Sequence, residues 1–399
     1  MVATGLSSSI LRPEVVVTSS KAVAELLSCC ALGVLAARRG ILSPVNVGAL
    51  SKIVYGVFLP SLLLVNVAKT CVSQPFASLL PIPAFAIIQI CLGLIVSEGT
   101  MRLVGARKDT EAGREAKVSS AFQNSGILPL IFLNSMFRGH PDPALLSRGV
   151  AYVSFYLMGW SPFFWTVGNN ILTGHLNQGS NESNAVPIKG ASAAGALRKK
   201  GLMSTMRDTM RDLPAIAKGV VSSKLSKRVL TPPIIACFTG LMIGLSPPLR
   251  WLLMAPGAPL SPLWGALSNL SAAYTPSGVL VLAGSLANCP SSGGWLTDET
   301  RKTLTSVALV RWLLLPLFTA GMVFSGLRLG LIPQDPMLLF VLMMQSAMPS
   351  AQNSVIMLQV AGLQDAAGRC ARTLCIIYLI SIFPVSILLT IFLSAVQLV

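Results

Sequence analysis

Ten stretches of roughly 18 to 25 residues, each dominated by aliphatic side chains, recur along this 399-residue chain. They lie near 21–38, 50–68, 80–103, 117–137, 148–172, 230–247, 263–287, 303–326, 336–361 and 371–396. A helix needs about 20 residues to cross a hydrocarbon core about 30 Å thick, so each stretch is a candidate span. The chain is 53% hydrophobic and 11% charged, with a mean hydropathy of +0.70, too apolar for a soluble globular surface. The expected fold class is an all-α membrane protein with ten transmembrane helices.

The first 20 residues hold Arg12 and Pro13 but no clean apolar core with a cleavage site, so residues 1–20 are expected to be a lumenal or extracellular tail and the first span to be retained. The eight cysteines lie mostly in or beside apolar spans and form no C-x-x-C pair. They read as small hydrophobes, and neither a metal nor a cofactor is implied.

A net charge of +16 invites a nucleic-acid reading, but its distribution argues for topology instead. Of the 30 Lys and Arg, 22 fall in or beside the loops that follow spans 1, 3, 5, 7 and 9. The positive-inside rule places those odd-numbered loops in the cytosol and both termini in the lumen or outside. The partner implied is a lipid bilayer, with no nucleic acid.

The longest loop, 173–229, begins with a Gly-, Ser- and Asn-rich segment that is expected to be disordered. Its basic second half reads as a solvated linker or as an amphipathic helix on anionic lipid. It separates 21–172 from 230–399, two sets of five spans that echo each other. "CCALG" and "LSP" (29–33, 42–44) match "ACFTG" and "LSP" (236–240, 245–247), and "LPSLLLVN" (59–66) matches "TPSGVLVL" (275–282). Spans 4 and 9 both carry Gln-Asn-Ser, as Gln123-Asn124-Ser125 and Gln352-Asn353-Ser354. Five is odd, so the second set enters the membrane inverted. Inverted repeats characterise secondary transporters, whose substrate sits near mid-membrane at discontinuous helices.

The Gln-Asn-Ser triplets mark such discontinuities. Gly126 and Pro129 follow the first and Pro349 precedes the second. Proline removes a donor and frees carbonyls, and broken backbone inside a bilayer persists only where protein or a polar cavity satisfies it. One such amide alone reads as helix-to-helix glue. The matched pair points to a polar cavity between spans 4 and 9, where half-helix N-termini and amide donors suit an anion. Pro60-Ser61 and Pro276-Ser277 form a second matched pair, read as kinks flanking the cavity, with hydroxyls either bonded back to their own helix or lining it. Arg311 lies about 12 Å inside span 8 and either snorkels to the cytosol or pairs with a carboxylate or helix end. The two histidines lie far apart in loops and no nucleophile or phosphate-binding motif is present, so no enzyme is expected.

These motifs resemble the PIN-LIKES branch of the auxin efflux carrier family. The similarity rests on "GILSPVNVGALSKIVYGVFLPSLLLVNVAKT" (40–70), "NSGILPLIFL" (124–133), "GVAYVSFYLMGW" (149–160), "VRWLLLP" (310–316) and "PQDPMLLFVLMMQSAMPSAQNSVIMLQV" (333–360). It implies a ten-span carrier with spans 4 and 9 crossing at proline breaks, and an elevator motion. Spans 1, 2, 6 and 7 would form a scaffold, with a homodimer as an option, while spans 3–5 and 8–10 carry substrate. The implied substrate is indole-3-acetate, its carboxylate meeting Asn124 and Asn353, with Pro129 and Pro349 shaping the breaks. The implied membrane is the endoplasmic reticulum, with the plasma membrane second. Two departures stand out: Ser119-Ser120 where span 9 has Pro349-Ser350, and an aromatic content of 7% that shows no dedicated indole pocket. A sodium-coupled carrier of another organic anion and a ligand sensor signalling through the central loop are the alternatives.

Overall fold

The computed structural model describes residues 13–73, 79–106, 110–137, 140–174, 231–288 and 296–396. The central loop from residue 175 onward and the first 12 residues of the tail lie outside the described residues. In chain order the helices are α1 (Pro13–Arg38), α2 (Pro44–Ile53), α3 (Leu59–Ser73), α4 (Pro81–Leu103), α5 (Glu111–Ala121), α6 (Ile127–Phe137), α7 (Pro143–Phe163) and α8 (Asn169–Leu172). They continue as α9 (Pro232–Leu245), α10 (Pro247–Leu253), α11 (Ser261–Ala287), α12 (Asp298–Leu309), α13 (Leu315–Arg328), α14 (Pro336–Ala347), α15 (Asn353–Val360) and α16 (Gln364–Ala395). Short π turns join α2 to α3, α7 to α8 and α12 to α13.

Among the described residues, five helical stretches are long and apolar enough to cross a membrane: Pro44–Val72, Pro81–Leu103, Ser261–Ala287, Asp298–Arg328 and Gln364–Ala395. A sixth is gained if α9 and α10, bent by 99°, count as one. The stretches expected as spans 4 and 9, broken at the Gln-Asn-Ser triplets, are each divided there, into α5 and α6 and into α14 and α15. α1 begins at Pro13, ahead of the expected start of the first span.

Cap and proline pairs set several helix starts. Ser43, Asp142 and Asp335 each precede a proline at the first helical position and accept a backbone N–H from the first turn, at 3.3, 2.9 and 2.8 Å. Two of the π turns have a proline cause. Pro60 and Pro316 cannot accommodate the carbonyls four residues back, those of Gly56 and Trp312, and both lie inside the widened turns. One extra residue rotates the helix faces by about 100°. Arg311 continues the buried face of Thr303 and Val307 at four-residue spacing and is fully buried, while beyond the turn at Val310–Leu314 that face resumes at Leu315. α11 continues as one helix through Pro276.

The helices can be grouped into two sets that also pack on one another, α3 on α7 and both α1 and α11 on α16. α1 packs on α11, α9 on α3, and α3 on α11. The other set, α4, α5, α7, α12, α13, α14 and α16 with their short partners, is knitted by polar bonds between helices. Gln89 Nε2 donates to Thr319 Oγ1 at 2.9 Å, and the Ser306 hydroxyl lies 3.1 Å from that of Thr100 and 3.0 Å from that of Ser120. Tyr152 donates to Asp335 at 2.6 Å, and Arg148 pairs with the same carboxylate at 3.5 Å. At the other end Arg369 pairs with Glu111 and Glu115. Among the described residues two side-chain bonds cross between the sets, both joining α11 and α15: Tyr274 Oη donates to Asn353 Oδ1 at 2.6 Å and Gln359 Nε2 donates to Ser285 Oγ at 3.0 Å.

Candidate functional site

The breaks between α5 and α6 and between α14 and α15 run past each other in opposite directions and pair as a single antiparallel β-bridge at Gln123 and Ser350. Asn124 N donates to Pro349 O at 2.7 Å, and Ala351 N donates to Phe122 O at 3.0 Å. Each unsatisfied backbone group in hydrocarbon would cost several kcal/mol, so the two interruptions stabilise one another. Side chains accept or supply most of the rest. Ser350 Oγ donates to Ser119 O at 2.6 Å, Tyr378 Oη to Ser350 O at 2.9 Å, and Gln345 Nε2 to Ser125 O at 3.2 Å.

One flank of the crossing is a directed polar chain. Arg311 Nη2 donates to Ala121 O at 2.6 Å and to Gln123 Oε1 at 3.0 Å. Arginine only donates, which fixes the orientation of the Gln123 amide. Its nitrogen then donates to Tyr156, whose hydroxyl donates to Gln89, whose nitrogen reaches Thr319. Arg311 therefore pairs with a helix end, one of the options open from sequence; it neither snorkels nor meets a carboxylate among the described residues.

The other flank opens on a small, narrow cavity. Leu59, Leu62 and Leu63 of α3 and Tyr274 of α11 form one wall, and Leu157, Trp160 and Ser161 of α7 another. The floor is the crossing itself: Asn124, Ser125, Gly126 and Ile127 from the first break, and Ala351, Gln352 and Asn353 from the second. Asn124 Oδ1 caps α6, accepting from Ile127 N at 3.2 Å and Leu128 N at 3.5 Å, and its Nδ2 donates to Tyr378 at 3.2 Å. Asn353 Oδ1 accepts from Tyr274. Gln352 is 2% exposed, and neither polar atom of its amide has a hydrogen-bond partner. Gly278 of α11 makes room for it, since a Cβ there would stand 3.2 Å from Gln352 Nε2. Trp160 stacks on Phe164 with ring centroids 4.6 Å apart, and its indole N–H is buried without a partner.

Of the residues expected at the site, Asn124, Ser125, Gly126, Gln352 and Asn353 line the cavity. Gln123 turns to Arg311, and Ser354 is buried without a partner behind the lining. Pro129 and Pro349 sit beside the breaks without lining the cavity. Ser61 bonds back to Val57 O at 2.8 Å, and Ser277 is half-buried outside it, so neither hydroxyl lines the cavity. Pro60 follows a π turn next to the lining. Trp160 and Tyr274 went unnoticed as lining residues in the sequence. Their signal was a polar tip on an aromatic ring deep in an apolar span, a group that requires a partner.

A broken-helix crossing floored by amides and walled by apolar and aromatic side chains is the kind of site that discontinuous-helix membrane carriers use. The chain belongs to the membrane transport protein family, whose sequence pattern matches residues 18–389. It is similar to PIN-LIKES 7 of Arabidopsis thaliana, at 25% identity over 96% of this chain and 98% of that protein. PIN-LIKES 3 and PIN-LIKES 2 of the same plant are 25% and 26% identical, over 88% and 82% of this chain and 90% and 82% of their own lengths. The resemblance to the PIN-LIKES branch of the auxin efflux carrier family drawn from the motifs stands.

Proposed function

We propose that the chain is a secondary carrier of a small amphipathic organic anion, indole-3-acetate in the first instance, across the endoplasmic reticulum membrane. A carboxylic acid with a pKa near 4 is ionised at neutral pH, and its anion does not dissolve in hydrocarbon. The observation that carries the reading is the cavity at the crossing. There a buried Gln352 amide and the Trp160 N–H have no protein partner, beside apolar walls from α3 and α11. The donors suit a carboxylate, and the walls with the Trp160 ring suit a flat apolar body. In this reading the chain spans the membrane ten times as two inverted five-helix repeats. The reciprocal packing of α1 on α11 and of α9 on α3 supports that symmetry.

An elevator mechanism follows from the same division. The set knitted by polar bonds moves as a body carrying the crossing, while α1, α2, α3, α9, α10 and α11 form the scaffold, available for homodimer contact. The bonds from α11 to α15 are then broken and remade with each stroke. The test is uptake of radiolabelled indole-3-acetate into proteoliposomes. Saturable flux is expected in the wild type, with a loss of about tenfold or more in Gln352→Ala and Asn353→Ala. Absence of flux in folded, inserted protein would overturn the substrate, and unchanged flux in both variants would overturn the site.

A further inference from the structure

The end of α5 places a charge where a membrane interior tolerates one poorly. The final carbonyls of a helix lack intrahelical partners and carry the negative end of its dipole. At α5, Val118 O accepts from Phe122 N at 2.9 Å, Ser119 O from Ser350 Oγ at 2.6 Å and Ala121 O from Arg311 Nη2 at 2.6 Å. Arg311 is fully buried and takes part in no ion pair among the described residues. Its bonds go to two neutral oxygens, the Ala121 carbonyl and the Gln123 amide, and its Nε and Nη1 have no partner. A neutral side chain of similar volume would avoid that desolvation cost, so the position is explained by the charge it supplies.

Neutral carbonyl and amide oxygens at the C-terminal end of a half-helix are the ligands with which discontinuous-helix carriers hold a coupling cation. We propose that Arg311 is a tethered cation occupying that place, so that the end of α5 needs no bound sodium or potassium. The inference rests on the carrier reading above and decides against a sodium site at this helix end. A second cation on these oxygens would meet the guanidinium charge at hydrogen-bonding range. Arg311 is thus a positioning residue. Through Gln123 it also sets the direction of the chain that runs to Tyr156, Gln89 and Thr319.

The experiment measures melting of purified protein in detergent, without auxin, in sodium, potassium and choline chloride at equal ionic strength. Wild type and Arg311→Lys are expected to melt alike in all three salts. Arg311→Ala is expected to melt several degrees lower in choline and to regain part of that loss with methylguanidinium or sodium, a recovery that a purely packing role would not produce. A rise specific to sodium in the wild type would overturn the proposal, as would an Arg311→Ala protein that is folded yet indifferent to every cation. Where Arg311→Ala does not fold, the wild-type comparison alone decides. Because no substrate is present, failure here is distinguishable from failure of the auxin reading, which is judged by flux.

Discussion

The two Gln-Asn-Ser breaks share a backbone solution and differ in what their side chains do. At the first, every side-chain amide is spent on the protein: Gln123 on Arg311 and Tyr156, Asn124 on the start of α6 and on Tyr378. At the second, α15 has no side-chain cap, Asn353 is held by a tyrosine of α11, and Gln352 is held by nothing. A cation closes the end of α5, whereas among the described residues no basic side chain bonds to the end of α14. In the proposed carrier the first break serves as a support and the second as the receptor, although their sequences are nearly the same. Two near-identical triplets meet different neighbours, and the neighbours decide what their amides bond to.

The most severe test of this difference is Asn124→Ala. It strands the N–H groups of Ile127 and Leu128 and unpairs Tyr378, with an expected loss of about 2 to 3 kcal/mol in stability. The melting temperature and the yield of folded protein in detergent should fall together with flux. Gln352→Leu should separate the two quantities. Removing an unpartnered buried amide leaves stability unchanged or raises it by up to about 1 kcal/mol, while flux drops by about tenfold or more. If Gln352→Leu melts early and Asn124→Ala does not, the roles of the breaks are reversed.

Tyr274→Phe probes the contact between the sets. It removes one buried hydrogen bond, worth about 1 kcal/mol, and frees Asn353 Oδ1 without altering the ring. A bond remade on every stroke should influence the rate of the stroke, so flux is expected to change by about two- to fivefold with little change in melting. Equal flux in Tyr274→Phe and wild type would place that bond outside the transport cycle.

Much of this was legible in the sequence because hydrocarbon makes polarity conspicuous. Two triplets of amides and hydroxyls among Leu, Ile and Met mark the crossing, and the adjacent prolines mark its breaks. The partners were not legible. Trp160, Tyr156, Tyr274 and Tyr378 each look like packing or interfacial aromatics until the helix faces are known, and π turns shift those faces by an amount no periodicity records. The helix beyond Arg311 shows this directly, since after the turn at Val310–Leu314 the buried face resumes at Leu315 and not at Leu314. The matched Ser61 and Ser277 failed as lining residues for a related reason. The lining faces of α3 and α11 present Leu59, Leu62, Leu63 and Tyr274 instead, while the Ser61 hydroxyl bonds back to its own helix.

The smallest expected effect concerns the outer anchor of the first break. Glu115 on α5 lies outside the apolar span proposed to begin near 117 and pairs with Arg369 at 3.4 Å. Burial pushes its carboxyl up to about 7, with Arg369 drawing it part of the way back. A carboxyl whose pKa rises on folding binds more protons in the native than in the unfolded state between its two pKa values. Stability therefore falls as pH rises from about 4.5 to about 7 and is level above that. With Arg369 well exposed to screening, the melting temperature should decline by only about one to two degrees across this window. Glu115→Gln should abolish that slope and leave the sodium and choline curves superimposed, because this pair anchors α5 from outside and Arg311 supplies its inner charge. A slope that survives in Glu115→Gln would assign the pH response to another group and leave α5 held by its inner end alone.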